Sequence, residues 1–312
     1  MWRYAAKRLI ETILVILGVT FLVFAIFHLV PGDPITVLSG GRTLPSSVET
    51  NLRQSFGLDK PLYLQYFYYV KNIFTGDLGM SFSKNRPVIE ILKETYPNSI
   101  RLAMAAIMIE TIVGIGVGLY FAIRRSRYKD AIMTVSTSLL ISIPVFWLAM
   151  ILQQIFGVRL KWLPVSGMGD GSLRYYILPV ITLSSVFIAY VAQTMRSNMI
   201  KVMGEDYIRT ARASGIPESK VIRKYGLKNA ISPVITLIGI DLGALMGGAV
   251  ATEVIFNWPG IGNQIYLAIL ARDRPLVMGA VLTLVIIFIF INFLVDVSYS
   301  YFDPRIRNSE GR

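Results

Sequence analysis

The chain has 312 residues, 54% of them hydrophobic and only 16% charged, with a mean hydropathy of +0.57, which excludes an ordinary soluble domain and describes an integral membrane protein. Its net charge of +12 is held mainly in short basic segments beside apolar runs, the pattern that sets membrane orientation and not a nucleic-acid footprint. Cysteine is absent and His28 is the only histidine, so disulfides, thiolate or His-based metal sites and a histidine-dependent catalytic triad are all excluded.

Six apolar stretches, at about 9–30, 101–123, 131–156, 177–199, 231–252 and 276–298, approach or exceed the roughly 20 residues a helix needs to cross a bilayer. They predict an all-α integral membrane protein with six transmembrane helices. The first follows Arg3, Lys7 and Arg8, as a signal peptide would, but its apolar run is too long. The sequence beyond it, HLVPGDP, offers no small-residue cleavage site, so it is expected to remain as an anchor.

Residues 31–100 come next, with seven basic and six acidic residues, too balanced a charge to decide their side of the membrane. The aromatic cluster Tyr63, Tyr66, Phe67, Tyr68 and Tyr69 argues against a disordered linker and for a small, mostly helical extracellular cap. Span two carries Glu110 in its middle, which would cost about 2.5–3.5 kcal/mol facing lipid and so must face protein or water. It serves either as a polar contact between helices or as part of a substrate path, and Asp241 and Asp296 pose the same choice. Gly114 and Gly118 in span two, and Gly239, Gly243 and Gly247 in span five, form four-residue stripes that let helix backbones approach closely. Pro144 is expected to kink span three.

Arg124, Arg125, Arg127 and Lys129 crowd the turn between spans two and three, and eight Lys/Arg from Arg196 to Lys228 fill the loop between spans four and five. Arg305, Arg307 and Arg312 follow the last span, whereas the intervening loops are poorer in basic residues. Both termini are therefore expected in the cytoplasm. The organisation that follows is an N-terminus with span one (1–30), the cap (31–100), a permease-like core (101–304, with a cytoplasmic loop at 200–230) and a cytoplasmic tail (305–312).

The loop between spans four and five reads EDYIRTARASGIPESKVIRKYGLKNAISP from Glu205 to Pro233. Acidic residues open a helix where the dipole favours them, and Gly215 ends it. Pro217 restarts a helix at its first position, with Glu218 beside it. Such a bent pair, apolar on one side and basic on the other, cannot bury its apolar side within its own short length. It needs a groove, either on the chain's own helix ends or on a partner.

YIRTARASG followed by LKNA resembles the cytoplasmic EAA loop of ABC importer permeases, in the form used by the dipeptide/oligopeptide branch. PGDP at 31–34, GLDKPL at 57–62, GDLGMSF at 76–82, PVFW at 144–147, FNWPGIG at 256–262 and DPRIR at 303–307 extend the resemblance over nearly the full length. Gly215, Leu227 and Ala211 fit the general EAA pattern. Arg209 and Thr210 replace its Glu-Ala, and Tyr225 and Lys228 replace its Ile and Pro, departures typical of the peptide branch.

The resemblance implies a type I importer permease in the bacterial inner membrane, surrounded by lipid and paired with a second homologous permease subunit. Two cytoplasmic ATPase subunits would carry ATP and Mg, and an extracellular binding protein would deliver substrate. It implies ATPase coupling through Glu205, Asp206, Tyr207, Arg209, Ala211, Arg212, Ala213, Gly215, Pro217 and Arg223. Trp147, Gln153, Gln193, Asp241 and Glu253 are candidates for the translocation path, or else they pack helices. Leu38-Ser39-Gly40-Gly41 resembles the start of an ABC ATPase signature, but no Gly-Lys pair occurs anywhere, so the chain has no phosphate-binding P-loop. No bound cofactor, no metal and no catalysis by this chain are expected. Nickel chelates, glutathione and oligosaccharides are alternative cargoes to di- or oligopeptides within the same branch. A secondary transporter would require inverted repeats around mid-membrane ion sites; no internal repeat is visible, and the loop would then lack a purpose.

Overall fold

The computed structural model describes residues 2–29, 35, 45–55, 58–246 and 249–302. PGDP at 31–34, residues 38–41, Gly57, Gly247 and the 303–312 segment with DPRIR lie outside the described residues. Thirteen helices are named here in chain order. They are α1 (Trp2–Leu29), α2 (Ser46–Ser55), α3 (Leu62–Phe74), α4 (Val88–Ile123), α5 (Arg127–Ser142), α6 (Val145–Arg159) and α7 (Leu173–Met203). Then follow α8 (Asp206–Ala213), α9 (Glu218–Ala230), α10 (Ser232–Met246), α11 (Val250–Ile255), α12 (Ile261–Leu270) and α13 (Arg274–Phe302). Helix dominates for a physical reason: in hydrocarbon each backbone N–H and C=O must find its partner within the segment.

Among the described residues α4, α7 and the Arg274–Val295 part of α13 are long and apolar enough to cross a membrane, and two bent helix pairs raise the count to as many as five. Span two begins earlier than its apolar run suggests, because α4 starts at Val88 and carries Pro97 through its first turns. At Pro144 the expected kink is instead a break. Ile143, the residue before the proline, is forced to extended geometry (φ −79°, ψ 121°), and α6 leaves α5 at 96°. Nor is the 231–252 run one helix, since α10 ends at Met246 and α11 begins at Val250.

The chain divides into two compact units. The first comprises residues 1–99 and 259–300. Its core packs Val88, Ile91 and Leu92 of α4 against Ile261, Ile265 and Ala268 of α12 and Leu276, Val277, Ala280 and Leu284 of α13. Tyr66 of α3 packs edge-on against Phe21 and Phe24 of α1, and its hydroxyl lies 3.1 Å from Thr20 Oγ1. The GDLGMSF loop is fastened to fully buried Asp273. Ser81 Oγ, Ser83 N and Ser83 Oγ donate to one carboxylate oxygen at 2.6, 2.9 and 2.7 Å, and Leu276 N donates to the other at 3.2 Å. Burial pushes this carboxyl up, but the bonds from Ser81 and Ser83 outweigh it and hold it below the ordinary carboxylate range.

The second unit comprises, among the described residues, 100–258 and 301–302. Trp258 is fully buried against Leu102, Ala106, Val180 and Leu183, and its ring meets Tyr176 edge-on at 4.7 Å. The Gly114–Gly118 stripe seats α4 on α7: a Cβ at Gly118 would lie 2.5 Å from Ala192 O, and one at Gly114 would lie 2.6 Å from Val191 Cγ1. Glu110 of α4 and Asp241 of α10 are both fully buried and close enough to interact, and no donor reaches either carboxyl.

Candidate functional site

The 205–233 loop folds as a self-supporting elbow. Gly204 closes α7, Glu205 turns extended (φ −71°, ψ 152°) as the cap of α8, and Asp206 places its charge in the first turn, where the helix dipole favours it. At the other end Gly215 takes φ +74°, the left-handed geometry that glycine adopts without a Cβ penalty. Gly215 N then donates to Arg212 O (3.0 Å) and Ile216 N to Ala211 O (3.3 Å). These two bonds, with Ile216 packed on the cluster that holds Ala211, make a Schellman cap.

Pro217 stands just outside α9 and not at its first position, with φ −54° and ψ 136°, and Glu218 is the first helical residue. Glu218 reaches back across the turn to Arg212 in a two-pronged pair, at 3.0 Å from Nε and 2.6 Å from Nη2. That hydrogen-bonded pair raises the guanidinium further above its ordinary value and lowers the carboxyl. Both side chains are about half exposed, so this link across the turn contributes on the order of 0.5 kcal/mol.

The apolar side of the elbow is satisfied by the chain itself. Ile208, Ala211 and Val221 are buried together, with Met203 from the end of α7, Ile216 and Tyr225 packed around them. A π-helical turn over Val221–Leu227 brings Gly226 so near α7 that a Cβ there would lie 2.6 Å from Met199 Cε. Asn229 Nδ2 donates to the Tyr207 hydroxyl (3.1 Å) and to Tyr225 O (2.9 Å), tying the return path to α8. Of the two grooves considered for this apolar side, the structure uses the chain's own helix ends.

Of the ten residues expected to couple, Glu205, Asp206, Tyr207, Arg209, Arg212, Ala213, Gly215, Pro217 and Arg223 are exposed. Ala211 is buried in the elbow's core and faces inward. Sequence reasoning missed the bracing role of Glu218 and the tie at Asn229; the first was legible as an Arg–Glu pair spanning a Gly-x-Pro turn, the second carried no local signal. The five path candidates stand on α6, α7, α10 and α11. Trp147 is half exposed on α6, whereas Gln153 donates to Val165 O and Ile255 O, and Gln193 Nε2 donates to Thr137 Oγ1 at 2.7 Å. Asp241 and Glu253 are fully buried. Among the described residues no group of three His, Asp or Glu side chains is arranged to hold a metal ion.

Residues 114–308 match the family described as the inner membrane component of binding-protein-dependent transport systems, and residues 1–103 match the N-terminal part of such components. The chain belongs to this family of transport permeases. Among its relatives, the dipeptide transport system permease protein DppB of Alkalihalophilus pseudofirmus is 37% identical, the match covering 98% of this chain and 100% of that one. A glutathione transport system permease protein, GsiC of Escherichia coli, is 39% identical over 98% of this chain and 99% of its own. Two solved ABC transporters share the permease fold over 68% of the chain. They are an inward-facing methionine transporter, MetNI (TM-score 0.55, 18% identity, 96% of that chain), and an amino acid transporter solved with histidines (TM-score 0.52, 13% identity, 94% of that chain). The protein is thus a multi-pass permease of the bacterial inner membrane.

Proposed function

We propose that this chain is one of two permease subunits of an ATP-driven importer of short peptides, coupled to its ATPases through the 205–233 elbow. The observation that supports the coupling role is that the elbow buries Ile208, Ala211 and Val221 against the chain itself. Its outward surface carries the exposed side chains Asp206, Tyr207, Arg209 and Arg223 on a frame tied by Arg212–Glu218 and Asn229. A rigid polar lever at the end of a long helix transmits rigid-body motion, as alternating access requires.

In this reading α1, 28 residues and roughly 42 Å long at helical rise, completes the count of six spans with α4, α5–α6, α7, α10–α11 and α13. The basic turns support an orientation with both termini and the elbow in the cytoplasm and the 31–100 cap outside. ATP and Mg are held by two partner ATPases, a second permease completes the path, and an external binding protein delivers cargo. The near-full-length likeness to permeases named for dipeptides and glutathione favours cargo of that size and chemistry. Reconstitution of the complex with its binding protein, in the presence of dipeptides, longer peptides, glutathione or nickel chelates in turn, tests this. Stimulation of ATP hydrolysis by dipeptides or longer peptides is the expected result; a response to nickel chelates or glutathione alone overturns the peptide assignment.

A further inference from the structure

Helix α3 carries an apolar load that the chain leaves uncovered. Ten of its thirteen residues, LYLQYFYYVKNIF, are aromatic or aliphatic, and among the described residues none of the thirteen is buried. Tyr63, Phe67, Val70 and Phe74 recur at i, i+4, i+7 and i+11, so they form one stripe along the helix. Three of them, Tyr63, Phe67 and Phe74, are 71%, 62% and 79% exposed, a contiguous apolar surface of the kind that marks a contact site. A helix this short is marginal in water by itself, so α3 depends on what lies against it.

One side is supplied by α1, and those contacts fix the height of α3. The Tyr66 ring meets Phe21 and Phe24, Tyr69 lies 5.9 Å from Phe24 between ring centres, and the Tyr66 hydroxyl donates to Leu17 O at 3.3 Å. Gln65 Oε1 lies 3.2 Å from His28 Nε2. Phe24, which touches both tyrosines, stands about 8.5 residues beyond the midpoint of α1, or roughly 13 Å along its axis. With α1 centred in the bilayer, that level is the edge of a hydrocarbon core about 30 Å thick. The composition suits it, because tyrosine rings favour the membrane–water boundary and α3 holds Tyr63, Tyr66, Tyr68 and Tyr69. Charge is kept off the stripe. Lys60 Nζ lies 4.1 Å over the Tyr68 ring, and Tyr68, with Gln65 and Asn72, lines a cavity of about 520 Å³ on the side of the helix away from the stripe. Lys71 borders the stripe on a stem long enough to carry its ammonium to the headgroups. The apolar surface also continues onto α1, where Leu14, Phe21, Leu22 and Ile26 are exposed and Phe21 meets Tyr66.

We propose that α3 is an interfacial helix that lies in the outer leaflet of the bilayer, with Tyr63, Phe67, Val70 and Phe74 turned into lipid and Gln65 and Asn72 toward water. The cap is then held to the membrane surface by this helix as well as by the chain on either side of it. The depth favours lipid as the occupant, since a soluble partner arriving from outside would have to pass through the headgroups to meet a stripe at the level of Phe24. The assignment to the outer leaflet rests on the six-span orientation proposed above.

The cysteine-free sequence allows a nitroxide to be placed at single sites without background labelling. The test puts one at Phe67→Cys, Phe74→Cys, Asn72→Cys or Leu14→Cys in the full-length chain, purified with the subunits that accompany it and set in phosphatidylcholine/phosphatidylglycerol nanodiscs. All four positions are exposed, so the substitutions remove no internal packing. Collision with oxygen, which concentrates in lipid, is compared with collision with a water-soluble nickel chelate. The oxygen-to-nickel ratio should be several-fold higher at Phe67 and Phe74 than at Asn72, and highest at Leu14 near the middle of α1. Two results would overturn the proposal: nickel reaching Phe67 and Phe74 as readily as Asn72, which means water, or neither reagent reaching them, which means a covering protein. Leu14 keeps the two readings apart. Lipid contact at Leu14 with water at Phe67 and Phe74 refutes the interfacial helix alone, whereas nickel access at Leu14 refutes α1 as a span and leaves lipid contact at Phe67 and Phe74 to stand on its own ratio.

Discussion

Replacement of Gly215 by valine isolates the elbow's turn. A Cβ at this position meets nothing within 4 Å, so the substitution creates no clash and its cost is the backbone's alone. Holding an L-residue at φ +74° costs about 1–2 kcal/mol, with a β-branched side chain at the upper end. The chain can escape that strain only by giving up the two bonds of the Schellman cap, worth about 1 kcal/mol each. Either route caps the penalty near 2 kcal/mol, or about a 30-fold rise in local opening. Hydrogen exchange of the Gly215 and Ile216 amides reads that opening directly. Position 215 should rank valine fastest, alanine intermediate and asparagine, which tolerates left-handed geometry, nearest to wild type. Peptide uptake per ATP hydrolysed by the reconstituted complex should fall in the same order while both units stay folded. If the valine variant exchanges 30-fold faster yet transports normally, a rigid elbow is not the lever and the coupling argument fails.

The purified chain alone should release no phosphate from ATP above a no-protein control, since it has no P-loop. Asp273→Asn should free the Ser81–Ser83 loop at a cost of about 2–4 kcal/mol, because buried donors lose a charged acceptor, and limited proteolysis within residues 76–87 should detect it. The pH dependence has a definite sign. A carboxyl whose folded value is depressed stabilises above its unfolded value of about 3.9 and loses that contribution as pH falls through the folded value. Wild-type melting temperature should therefore drop below about pH 4 more steeply than that of Asp273→Asn. A double-mutant cycle on Arg212→Ala and Glu218→Ala should return a coupling under about 1 kcal/mol that shrinks in high salt, as an exposed pair requires.

What the sequence made legible was whatever is local. Gly215 and Pro217 announce a stop and a restart because backbone freedom and a fixed φ are properties of single residues, and the structure puts the turn there, with Pro217 one step outside the helix. The apolar runs likewise announce helices, since period and length suffice. The break at Pro144 was harder: the proline predicts disturbance of the helix, but whether a 96° turn or a mild bend results depends on what packs around it. Least legible were long-range partners. Nothing near Asp273 in sequence indicates that its acceptors are claimed by Ser81 and Ser83, some 190 residues away. Nothing near Glu110 names Asp241 either.

The elbow's apolar side teaches the most, because the rule applied to it in sequence left two grooves open and only packing decides between them. Ile208, Ala211 and Val221 alone bury too little to hold two short helices, which is why a groove was required. Met203 at the end of α7 and Gly226 against Met199 supply that groove from within the chain. The consequence bears on docking: an apolar face handed to a partner would leave the elbow soft until the partner arrived. A face already buried makes it stiff beforehand, so under the proposed coupling role a force applied at Asp206, Tyr207 and Arg209 would move α7 rather than first order the loop.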